Sequence, residues 1–165
     1  MNMLALAFAA IALLAVIAAQ DYLWAPLRNE TISSGLEGPY HWWLDGAYIV
    51  LAAALCMGFT GRPLTEAFAV VTAIALVLSG VANTAYRWVD QVTGGKHEQL
   101  HLAFTAVVFL GAAGVELTAD RGALWWLSLA NGVVPAALWG LTSRKDYAEK
   151  IGVLLLCLWL IAWTL

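Results

Sequence analysis

Apolar runs long enough to cross a bilayer recur along almost the entire chain, and only short polar connections separate them. A run of roughly 20 apolar residues matches a hydrocarbon core about 30 Å thick. Nothing in hydrocarbon can meet a free backbone N–H or C=O, so each run must be a helix. The period-two alternation of a barrel strand is absent. The 165 residues leave room for about six such runs and for almost no soluble part. Composition agrees: 62% of the residues are hydrophobic and 12% are charged, where a soluble domain carries about a quarter. The expected fold is all-α, a single domain over residues 1–165 built as a polytopic bundle of six transmembrane helices with short loops.

The first five runs are expected at 3–19, 42–59, 64–86, 97–117 and 123–141; the sixth follows a polar stretch at 143–150 and ends at Leu165. The first run lacks a basic leading segment and reads as a retained helix rather than a signal peptide. Connections one, three and five carry Arg28, Arg87, Lys96, Arg144, Lys145 and Lys150, whereas two and four carry only Arg62 and Arg121. The positive-inside rule then puts connections one, three and five in the cytoplasm. Both termini are expected on the outer face of a prokaryotic inner or plasma membrane. Trp24, Trp42, Trp43 and Trp88 would mark one interface, and Trp125, Trp126 and Trp163 the other. Gly111 and Gly114 suit close helix packing, and Asn83 and Asn131 suit hydrogen bonds between helices. Pro135 withdraws the usual donor from the Asn131 carbonyl, so a kink is expected there. Cys56 and Cys157 lie in apolar runs and read as small buried hydrophobes.

One short motif carries chemistry. His97-Glu98-Gln99-Leu100-His101 reads His-Glu-x-x-His and opens the fourth run. On a helix its two histidines share one face, as two ligands of a zinc ion must, with the glutamate placed as base. The third histidine, His41, starts the second run and shares a face with Asp45, an acid about one turn inside the apolar stretch. An intramembrane acid is a functional candidate. The alternating topology puts all four groups at one membrane side. A metal held by His97, His101 and one or both of His41 and Asp45 would leave a position for water and lower its pKa toward roughly 7. Glu98 would then move the proton. Ser34, Tyr86 and Arg87 are candidates for holding substrate near this site. The same residues have a plain reading as polar groups at helix starts, where they meet water and, for Glu98, the helix dipole.

Leu44-Asp45-Gly46 together with His97-Glu98-Gln99-Leu100-His101 is similar to the motif pair of site-2-type intramembrane metalloproteases, in the reverse order along the chain. The likeness implies zinc held by two histidines and an aspartate, with Glu98 as base. Three histidines with an aspartate and a serine also resemble the zinc centre of alkaline ceramidase-like membrane hydrolases, although those have seven helices. The stretch 30–44, with Ile32-Ser33 and Gly38 ahead of Trp42, resembles a prokaryotic six-helix membrane family of unknown function (DUF 998). That likeness implies the six-helix fold and no activity.

Three readings follow. The first is a zinc-dependent membrane hydrolase acting on a lipid-like or membrane-embedded substrate. The second is a bis-histidine haem protein, with His41 opposing His97 or His101. The third is a non-catalytic membrane subunit or scaffold. Partners are expected to be membrane lipids and other membrane proteins, and no nucleic acid.

Overall fold

The computed structural model describes residues 3–23, 41–119, 124–141 and 145–165. These residues are all-α and form seven helices: α1 Met3–Leu23, α2 His41–Gly58, α3 Pro63–Thr84, α4 Tyr86–Thr93, α5 His97–Ala119, α6 Trp125–Leu141 and α7 Lys145–Thr164. The six long ones close a ring. Each packs on its neighbour in the order α1, α2, α3, α5, α6, α7, and α7 returns to α1. Leu6 and Leu13 of α1, Leu51 and Leu55 of α2, Val115 of α5 and Trp159 and Leu160 of α7 fill the interior. The outside is also apolar: Leu4, Phe8, Ile49, Leu110, Leu117 and Val133 are all exposed. So extensive an apolar surface is foreign to a water-facing monomer and ordinary for a lipid-facing one.

Among the described residues three helices are long and apolar enough to cross a membrane: Pro63–Thr84, His97–Ala119 and Tyr147–Thr164. The sequence suggests six. The shortfall has simple causes. Met3–Ala19 is apolar but short. α2 spends His41 and Asp45 in its first turns. α6 has 17 residues, about 26 Å of helix against a core of about 30 Å.

The tightest seam joins α3 to α5. A Cβ on Gly111 would overlap the Thr72 side chain, and one on Gly114 would overlap the Phe68 ring. The glycines let the two backbones approach, as expected of small residues in a membrane bundle.

A helix also forms where a plain connection is expected. α3 stops at Thr84, and Ala85 leaves helical geometry before α4 begins at Tyr86. α4 buries Val89 and exposes Trp88 and Val92. Gly94 and Gly95, both with positive φ, end it by donating their N–H groups to the Asp90 carbonyl over 2.9 and 3.0 Å. This is a glycine cap of the kind that only a residue without Cβ adopts freely.

At the opposite end Arg62 joins three elements. Its guanidinium donates to the Ala119 carbonyl at the end of α5 over 2.9 Å and lies 5.5 Å above the Trp163 ring of α7. Trp163 also packs on Phe59 and Trp159. It is therefore part of the bundle's end rather than only an interfacial marker. Trp42, Trp43 and Trp88 at one end and Trp125 and Trp126 at the other are exposed, as a belt requires. Trp24 lies outside the described residues.

Candidate functional site

The His-Glu-x-x-His motif opens α5, and its helical context is as expected. Its two histidines, however, face different partners. The His97 backbone N–H donates to Asp90 Oδ1 over 3.1 Å, and Nδ1 lies 2.8 Å from Asp90 Oδ2. Asp90 thus caps the N-terminus of α5 from α4, where the helix dipole favours a negative group. The hydrogen bonds from the His97 backbone and ring hold the Asp90 carboxyl below its usual value. The His97 ring also packs 5.6 Å from that of Tyr86, and Arg87 donates to the Tyr86 hydroxyl over 3.1 Å.

His101 turns inward and is buried. Its Nδ1 lies 2.9 Å from Ser79 Oγ and 3.2 Å from the Ser79 carbonyl, and its Nε2 lies 3.3 Å from Thr105 Oγ1. Ser79 Oγ and Thr105 Oγ1 are 3.1 Å apart. A neutral imidazole protonated at Nδ1 closes this circuit. Nδ1–H is shared between the two Ser79 oxygens, Ser79 Oγ–H donates to Thr105, and Thr105 donates to Nε2. Every polar atom is then satisfied without placing a charge in the bundle.

Asp45 takes a third direction. The Thr84 hydroxyl lies 2.9 and 3.1 Å from its two oxygens, and His41 is its electrostatic neighbour one turn earlier. Glu98 is exposed. Ser34 lies outside the described residues. Among the described residues no group of three or more His, Cys, Asp or Glu side chains is placed to hold a metal ion. The expected zinc set of His41, Asp45, His97 and His101 is therefore divided among separate contacts. At His101 both ring nitrogens have hydrogen-bonding neighbours, Ser79 and Thr105.

The structure brings forward an acid that belongs to no motif. Glu116, near the end of α5, is fully buried. Asn131 of α6 donates to its Oε1 over 2.5 Å, which realises the interhelical bond expected of that asparagine. Ser128 is a second hydrogen-bonding neighbour. Glu116 Oε2 and Asn131 Oδ1 have no hydrogen-bond partner. The sequence signal was available: Glu116 is an acid inside an apolar run, the same feature that singles out Asp45.

Beside this pair, α5 and α6 part. A cavity of about 420 Å³ lies between them, lined by Leu102, Ala106 and Leu110 of α5 and by Asn131, Ala136 and Trp139 of α6, among others. Gly132, Ala136 and Gly140 follow one another every fourth residue and share one face of α6. A Cβ on Gly132 or Gly140 would meet nothing within 4 Å. Near the middle of α6, Pro135 packs toward Gly152 of α7. Several lining residues, Leu110 and Trp139 among them, are exposed, so the cavity opens on the outer side of the bundle. Its volume falls within the range of small-molecule sites. No protein-family model, curated protein or solved structure matches this chain.

Proposed function

We infer that the chain is an integral membrane protein that binds a bilayer-soluble small molecule in the cleft between α5 and α6, without covalent chemistry. In this reading all six long helices cross the bilayer, and both termini lie on the outer face by the distribution of basic residues. Hydrophobic mismatch at the shorter α1, α2 and α6 is met by local thinning of the lipid. One observation carries the reading: a cavity of about 420 Å³, walled almost wholly by apolar side chains and open sideways where lipid would lie. An apolar recess facing water would close, whereas one facing hydrocarbon admits a chain at little cost. Glu116 and the α5 C-terminus then sit toward the outer leaflet.

The test is saturable photolabelling by a neutral alkyl diazirine in lipid nanodiscs. The wild type is expected to take up label in α5 and α6, and Ala136→Phe, which fills the cleft, to lose it. Equal labelling of the two proteins in these helices would contradict the reading.

A further inference from the structure

Resting on that reading, we propose that the cleft is built for an amphipathic amine, whose apolar body lies between α5 and α6 and whose ammonium group meets Glu116 and Asn131. One N–H of the Asn131 amide is given to Glu116 Oε1. Glu116 Oε2 and Asn131 Oδ1, the other oxygens of this pair, have no hydrogen-bond partner. Both residues are at least nine-tenths buried, Glu116 at 0% and Asn131 at 2% exposure. The Trp159 indole N–H, a buried donor that is itself unpartnered, reaches neither oxygen. Leaving buried oxygens unmet away from water is costly, and a ligand that supplies N–H groups to them removes that cost.

Three further features narrow the class. Asn131 lines the cavity, and Glu116, which it bonds, stands one turn beyond Ala113, which also lines it. An ammonium group beside Glu116 would also favour its ionised form, and a charge-assisted hydrogen bond is about twice as strong as a neutral one. Trp139 and Phe109 line the walls, where aromatic faces suit an apolar body. From Ala113 back to Leu102 the cleft runs about 16 Å by helix rise, enough for an extended alkyl chain. An anionic lipid headgroup is disfavoured at this end, since it would bring acceptors to acceptors.

The test uses the full chain in nanodiscs and reads competition against the neutral diazirine label by decylamine and by decanol, at matched concentrations in the bilayer. The amine is expected to compete roughly tenfold better than the alcohol, the order a charge-assisted hydrogen bond supplies. Glu116→Gln keeps the shape and the bond from Asn131 and is expected to bring the two competitors within about threefold of each other. Equal competition in the wild type overturns the proposal without any variant, and leaves the cleft reading intact if label still enters. An amine advantage that survives both Glu116→Gln and Asn131→Leu overturns it as well. Label excluded from the cleft, with α6 crosslinking to α6 of a second copy through its Gly132, Ala136 and Gly140 face, overturns both this proposal and the cleft reading.

Discussion

His97 Nδ1 lies 2.8 Å from Asp90 Oδ2, and the His97 backbone N–H donates to Asp90 Oδ1 over 3.1 Å. The contact fixes the angle at which the chain leaves α4 and enters α5. It also explains why the histidine that opens a zinc-type motif is held by the preceding helix. Asp90→Ala is expected to lower the thermal unfolding temperature and to speed amide exchange across α4, with Asn restoring part of the effect through its remaining acceptor. The pH dependence has a definite sign. A carboxyl whose folded pKa is depressed contributes stability that is fully present above its unfolded value, 3.8 here, and is lost as pH falls below it. The gap between wild type and Asp90→Ala should stay constant from neutral pH down to that value and shrink below it. A gap that opens on acidification would contradict the assignment.

The Ser79, His101 and Thr105 circuit should behave as one unit. Ser79→Ala and Thr105→Val each remove a link and are expected to cost about 1–3 kcal/mol, the penalty of leaving a buried polar group unmatched. The double variant should cost less than the sum, because the second change removes a group already orphaned. Additive losses in a double-mutant cycle would show that the three residues are not coupled. Stripping metal with a chelator should leave the unfolding temperature unchanged, since both His101 nitrogens are engaged by Ser79 and Thr105. A drop restored by zinc would show that the circuit opens to bind metal.

Two glycines one helix apart should respond in opposite ways. Gly111→Ala drives a methyl group into Thr72 at the α3 and α5 seam and is expected to destabilise by about 1–3 kcal/mol. Gly132→Ala meets open space and is expected to be neutral, or to stabilise by up to about 1 kcal/mol through helix propensity. Unfolding temperatures in detergent decide the matter. A loss at Gly132 equal to that at Gly111 would mean that another helix occupies the cleft.

Arg62 is expected to tie the bundle's end together. Arg62→Gln removes the cation near the α5 C-terminus and the stacking on Trp163, and is expected to cost about 1 kcal/mol. Faster amide exchange in the last turn of α5 is the local readout, and unchanged exchange there would argue against a capping role.

Much of the architecture was legible because the bilayer restricts the options to helices with apolar faces, so the runs located α1, α2, α3, α5, α6 and α7 within a few residues. Four features were not. α4 is too short and too polar to register as a run, and it exists because Asp90, Gly94 and Gly95 can end it and staple it to His97. α7 begins at Lys145, inside the stretch read as polar, because charged residues are good helix formers at a membrane surface. The contacts of the motif's two histidines were not legible from spacing. Residues four apart share a helix face, but His97 and His101 also differ in depth by about 6 Å, so α4 claims one and α3 the other. Glu116 was hidden for the opposite reason. Its partners on α6 are near in sequence but belong to no motif, and only the fold shows that Asn131 reaches it while leaving two oxygens unmet.

The cleft itself is tested most directly by a residue-level map of photolabelling with a neutral alkyl diazirine in nanodiscs. Label concentrated at Ala106, Leu110, Gly132 and Ala136, and lost from those residues in Ala136→Phe, is the predicted result. Label spread evenly over the exposed apolar positions of all the long helices, Leu4, Leu78 and Leu110 alike, would contradict it.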